Sequence, residues 1–148
     1  LAVEPAVISE TLFFNMFTFY SIVGAVAWFL YNRIDLSLGW SIITGKLIAV
    51  PLNTLWFTAY HFFRYSGQEA SIVGVMFLGF TTNLLTAVTD SIIPAYLFHA
   101  SGNFFKKLHG LGIFTSELTI VFTIIAGIMS IILYNVVFDP FNIIWRES

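Results

Sequence analysis

Residues 11–31 read TLFFNMFTFYSIVGAVAWFLY and contain no charged side chain. About 20 predominantly apolar residues are enough for a helix to cross the hydrocarbon core of a bilayer. This stretch therefore predicts a transmembrane helix. Ser9 or Thr11 could cap its start, and we interpret Glu10 as a terminal feature, because an acid is favoured at the positive end of a helix.

Three further apolar stretches follow, at residues 41–63, 71–98 and 115–138. Residues 99–114 are polar and contain glycine, and they are interpreted as a loop at the membrane interface. The predicted fold class is an all-α membrane protein, a bundle of four transmembrane helices with short loops in one domain over 1–148. Four spans would place both ends of the chain on the same side of the membrane.

The composition excludes several classes of protein. Hydrophobic residues make up 58% of the chain and charged residues 9%, whereas a soluble domain carries roughly 25% charged residues. The lipid bilayer is therefore the first predicted partner. The six basic residues are scattered and the net charge is −2, so no nucleic acid is expected. Because the chain begins at Leu1, we expect a few residues to precede it.

Catalytic motifs are not found in the sequence. It contains no cysteine, no Gly-x-Ser-x-Gly, no His-Glu-x-x-His and no phosphate-binding loop. His61, His99 and His109 lack the close Cys, Asp or Glu spacing of a metal site. We therefore predict no enzyme activity, no metal and no cofactor.

Two charged residues lie inside predicted spans, where a charge costs about 2.5–3.5 kcal/mol on insertion scales. Lys46 is about six residues into its span, so its side chain could reach the interface. Asp90 lies deeper and is too short to do so. It is interpreted as a proton-coupling carboxylate, a partner for Lys46 or a contact to a substrate ammonium. Alternatively, the third helix ends early and Asp90 lies among headgroups.

Polar and helix-breaking residues add further candidates. Pro51 and Pro94 interrupt the second and third spans. Paired broken helices point to a transporter binding site, although an ordinary tolerated kink is the more common explanation of such prolines. Asn53 could bond a carbonyl that Pro51 frees. Together with Asn15 and Asn83, it is expected to form hydrogen bonds between helices.

Three motifs resemble those of the bacterial L-alanine exporter family, and a fourth feature is similar. They are Ser-Glu-Thr-Leu-Phe at 9–13, Gly-Lys-Leu-Ile-Ala-Val-Pro-Leu-Asn at 45–53, Tyr-His-Phe-Phe-Arg at 60–64, and a proline followed by a tyrosine at 94 and 96. The resemblance implies a small four-span protein of the bacterial inner membrane that exports alanine or a similar amino acid, driven by the proton gradient. The positions that match the pattern are Lys46, Pro51, Asn53, Arg64, Pro94 and Tyr96, whereas Asp90 is not part of it.

The predicted function is therefore a proton-coupled exporter of a small amino acid. In this hypothesis Lys46 meets a carboxylate, and Asp90 meets an ammonium group or a proton. The alternative is a non-catalytic transmembrane accessory subunit that packs in a larger membrane complex. Because four short helices enclose little space, we expect either a homo-oligomer or such a complex.

Overall fold

The computed structural model describes residues 5–62 and 69–135, and the structural statements below concern these residues. Its elements are α1 (Pro5–Glu10), a π-helical segment (Thr11–Thr18), α2 (Phe19–Arg33), α3 (Leu38–Phe62), α4 (Glu69–Thr89), α5 (Ile92–Gly110) and α6 (Ser116–Leu133). The first three are continuous and are called the first helix. Four helices are long and apolar enough to cross a membrane: Val7–Arg33, Leu38–Phe62, Ile72–Thr89 and Ser116–Leu133. The chain is an all-α integral membrane protein, as predicted.

The predicted third span, residues 71–98, is not one helix. α4 ends at Thr89, and α5 begins at Ile92 and continues to Gly110, through most of the segment 99–114 that was predicted to be a loop. Hydropathy could not reveal the break, because the residues on both sides of it are apolar. The third predicted span therefore ends early, at Thr89, which was the alternative considered for the position of Asp90.

Consecutive helices pack antiparallel. Along α3 and α4, Lys46 meets Asp90 while Asn53 meets Asn83, so rising residue numbers on one helix face falling numbers on the other. α5 then packs on α4, and α6 packs on α5. The described chain thus runs along the bundle five times. The start of the first helix and the end of α6 therefore lie at opposite ends of the bundle, whereas a chain that crossed it four times would have both at the same end.

A glycine sets the close approach of α2 and α3. A Cβ atom on Gly45 would lie 2.8 Å from the carbonyl oxygen of Val23. Around this contact the buried side chains of Phe19, Val23, Ala49 and Val50 form a small apolar core. Small residues allow such backbone contacts between membrane helices, where lipid supplies no hydrophobic driving force. Gly45 directly precedes Lys46, so this contact also positions the lysine.

We expect Gly45→Ala to lower the free energy of unfolding by about 1–3 kcal/mol, because overpacking forces the two backbones apart. Gly24→Ala is the matched control, since a Cβ there meets no atom within 4 Å. Alanine also favours a helix over glycine by up to about 1 kcal/mol, so the control should be neutral or stabilising. Unfolding in mixed micelles measures both variants, and equal stabilities would contradict the close contact.

Candidate functional site

An ion pair joins α3 to the turn between α4 and α5. Lys46 Nζ lies 2.6 Å from Asp90 Oδ1, and the side chains are 21% and 64% exposed. Lys46 is eight residues after Leu38, about 12 Å along the helix axis at 1.5 Å per residue. The turn therefore lies well inside the length of α3. Of the three interpretations of Asp90, the structure confirms its partnership with Lys46.

The backbone of the turn holds the carboxylate in place. Asp90 has φ 51°, a left-handed conformation that Asp and Asn adopt more readily than other non-glycine residues. Thr89 Oγ1 lies 2.7 Å from the Leu85 carbonyl oxygen, to which it donates, and Ser91 Oγ accepts from Ile93 N–H at 3.2 Å as the cap of α5. Asp90 thus lies at the start of α5, where the helix dipole favours negative charge.

The two prolines occupy different kinds of position. Pro51 lies inside α3 and lacks the N–H that would bond the Leu47 carbonyl. Pro94 is the third residue of α5, where a helix has no intrahelical partner for an N–H. The predicted interruption of a span at Pro94 is therefore wrong, and the break lies at Asp90 and Ser91.

Tyr96 lies away from the ion pair. It lines an apolar cavity of about 240 Å³ between the first helix and α5. The other residues lining this cavity are Ile8, Thr11, Leu12, Ile92 and Ile93. Arg64 lies outside the described residues. The structure therefore brings together Lys46 and Asp90 but does not add Tyr96 to them.

Three buried asparagines connect the first helix, α3 and α4. Asn53 Nδ2 donates to Asn83 Oδ1 at 2.7 Å and to the Phe14 carbonyl at 2.8 Å. Asn15 Nδ2 donates to the same Asn83 Oδ1 at 3.0 Å, and Asn83 Nδ2 donates to Thr54 Oγ1 at 3.2 Å. The predicted interhelical bonds are confirmed. The predicted bond from Asn53 to a carbonyl freed by proline is wrong, because its amide turns to the π-helical segment instead.

A second cluster of titratable side chains, Glu10, His61 and His99, lies toward the opposite end of α3. Glu10 Oε1 is 3.4 Å from His61 Nε2, and Glu10 Oε2 is 3.8 Å from His99 Nε2. The three side chains are 13%, 6% and 4% exposed. Interpreting Glu10 as a terminal feature was wrong, because α1 already extends from Pro5. The described residues hold no group of three or more ligands arranged to bind a metal ion.

Comparisons with known proteins do not identify a family for this chain. Comparison with protein-family models, curated proteins and solved structures finds no match to the chain. The resemblance to the alanine exporters therefore stays a prediction.

The Glu10 site was not predicted from the sequence. Glu10 precedes an uncharged stretch, which is typical of a helix start, while His61 and His99 are 38 residues apart in the chain. The available signal was their residue type, since titratable groups next to or within apolar segments are candidates for function. Their proximity depends on the return of α5 along α4, which hydropathy did not reveal.

Proposed function

We propose that this chain is a small membrane transporter of zwitterionic amino acids, and that the solute binds at the Lys46–Asp90 pair. The observation that carries the proposal is the ion pair itself, with a 2.6 Å separation and an aspartate that is 64% exposed. An ammonium and a carboxylate held together present the same two charges as an amino acid. The solute carboxylate would replace Asp90 at Lys46, and the solute ammonium would bind Asp90.

The energy of this exchange supports reversible binding. The Lys46 and Asp90 side chains are 21% and 64% exposed, so opening this pair costs less than opening a fully buried one. When the solute binds, its carboxylate takes the place of the Asp90 carboxylate at Lys46. Its ammonium takes the place of the Lys46 ammonium at Asp90. Neither Lys46 nor Asp90 is then left unpaired, which avoids the penalty of an isolated charge in a partly desolvated site.

Two irregularities next to the pair support movement of the helices. Pro51 removes one backbone hydrogen bond from α3 five residues after Lys46. Asp90 lies in the two-residue turn between α4 and α5. Interrupted helices beside a charged site are typical of transporters, which must open the site to one side at a time.

The resemblance to the L-alanine exporters suggests the substrate and the membrane. Lys46, Pro51 and Asn53 all belong to the motif at 45–53 that resembles the family. We therefore propose alanine or a similarly small amino acid as the solute, export driven by the proton gradient, and the bacterial inner membrane as the location.

The test uses the wild-type protein reconstituted in liposomes loaded with L-alanine. External labelled alanine is expected to exchange into these vesicles, and unlabelled alanine to compete with it. Lactate has the carboxylate alone and ethylamine the ammonium alone, so neither should compete, because each would leave one member of the pair unpaired. Absence of exchange, or competition by lactate equal to that by alanine, would overturn the proposal.

The accessory-subunit alternative predicts a different result. Native mass spectrometry of the protein purified from its own membrane would find it in a fixed ratio with larger partners. A small homo-oligomer that exchanges alanine supports the transporter. A stoichiometric complex, together with vesicles that do not exchange alanine, supports the subunit.

A further inference from the structure

Tyr20 of α2 brings a third polar side chain to the Lys46–Asp90 pair. Its ring is partly buried against the small apolar core of α2 and α3, which contains Ala49, and Ala87 of α4 packs against the same core. Ala49 lies three residues after Lys46, and Ala87 lies three residues before Asp90, about one helical turn in each case. The packing of α2, α3 and α4 therefore holds Tyr20 next to the ion pair.

The hydroxyl of Tyr20 lies on the side of this pair. Its oxygen interacts electrostatically with the Asp90 carboxylate and with the phenol of Tyr134 at the end of α6. Within residues 5–62 and 69–135 the hydroxyl takes part in no hydrogen bond. A buried tyrosine hydroxyl usually has a hydrogen-bond partner, so this one is available to a ligand bound at Asp90.

The ammonium group of an amino acid needs more than one acceptor. A primary ammonium has three N–H donors and no acceptor. When each oxygen of the Asp90 carboxylate accepts one of these donors, the third N–H requires another acceptor. Lys46 supplies donors only, whereas the hydroxyl oxygen of Tyr20 has two acceptor lone pairs. Tyr20 therefore complements the group that Asp90 alone leaves incompletely bonded.

We propose that Tyr20 is the third member of the solute site, and that its hydroxyl accepts a hydrogen bond from the solute ammonium beside Asp90. This inference rests on the proposed function, since it places an amino acid at the Lys46–Asp90 pair. It also defines the class of solute, which is an amino acid with a primary ammonium group.

Sarcosine, which is N-methylglycine, is the solute that tests this class. It is an isomer of alanine with the same charges, but its ammonium is secondary and has two N–H donors. Both donors would bond Asp90, because a hydrogen bond between two charged groups is stronger than one to a neutral hydroxyl. The methyl group then replaces the donor to Tyr20. We expect alanine to bind about tenfold more tightly than sarcosine, the ratio for the loss of one hydrogen bond to a charged group.

The test measures binding and needs no transport activity. Labelled L-alanine is bound to the purified protein in detergent, and unlabelled L-alanine or sarcosine displaces it. Tyr20→Phe removes the hydroxyl and keeps the ring that packs against the core. This variant is expected to bind alanine about tenfold more weakly and sarcosine less than about twofold more weakly. Such a difference isolates the contact between the hydroxyl and the third N–H.

The control variant is Tyr31→Phe. It removes the same hydroxyl from the same helix, but Tyr31 is 50% exposed and lies 11 residues after Tyr20, about 16 Å along the axis. Both affinities should stay at their wild-type values. Equal losses of alanine and sarcosine binding in Tyr20→Phe would overturn the inference, because they would give Tyr20 a structural role only.

The vesicle assay distinguishes failure of this inference from failure of the proposed function. If the wild type binds alanine without exchanging it, the transporter function fails, and the binding measurements still decide the role of Tyr20. If the wild type exchanges alanine and Tyr20→Phe keeps the full preference for alanine over sarcosine, the function stands and the inference is wrong. A wild type that binds no alanine overturns both.

Discussion

Asn83→Ala is expected to lower the free energy of unfolding by about 2–4 kcal/mol, the largest loss from any single uncharged substitution we propose. Asn83 Oδ1 accepts from both Asn15 and Asn53, and its amide donates to Thr54. One interhelical hydrogen bond in a membrane protein contributes only about 0.6 kcal/mol on average. The larger loss is expected because the substitution removes three such bonds at once and leaves buried donors without an acceptor.

The matched control is Asn32→Ala. The amide of Asn32 also donates a hydrogen bond, to the Trp28 carbonyl at 2.9 Å, but it is exposed and the bond stays within one helix. Its loss should change the unfolding free energy by no more than about 0.5 kcal/mol. Unfolding with a denaturing detergent in mixed micelles measures both variants. Equal losses would show that the asparagine network does not hold the three helices together.

The asparagines also show how far the sequence determines this fold. An amide in hydrocarbon must find a partner, and at this depth the nearest partners are on other helices, so bonds between helices could be predicted. Which atoms pair could not be predicted, since this depends on the rotation of each helix. Asn53 lies two residues after Pro51 in the sequence, yet its amide bonds Phe14 and Asn83 rather than its own helix.

The boundaries of α4 and α5 were harder to predict for a physical reason. Residues 84–89 and 92–98 are both largely apolar, and only Asp90 and Ser91 separate them. A prediction based on hydropathy places the isolated carboxylate inside one long span, at a cost in insertion free energy. The chain instead ends one helix there and starts another, which gives Asp90 exposure and a lysine partner. The return of α5 then brings His99 to Glu10, so the error in the span also concealed the second site.

The variant that neutralises both members of the ion pair, Lys46→Gln with Asp90→Asn, separates structural from transport roles. Removing both charges leaves no unpaired charge, so stability should change by no more than about 1 kcal/mol. Asparagine also tolerates the left-handed backbone at position 90. Alanine exchange is nevertheless expected to fall about 100-fold, equivalent to about 2.7 kcal/mol, because the solute loses both charge contacts.

A second double variant, Lys107→Gln with Asp35→Asn, provides the control for this experiment. Lys107 is exposed, and Asp35 has φ 60°, the other non-glycine residue with a left-handed backbone in the described chain. The control therefore removes the same charges and places asparagine in the same backbone conformation, away from the proposed site. It should exchange alanine at the wild-type rate. If the variant at Lys46 and Asp90 also exchanges at that rate, the pair serves only to connect α3 to the turn, and the solute must bind elsewhere.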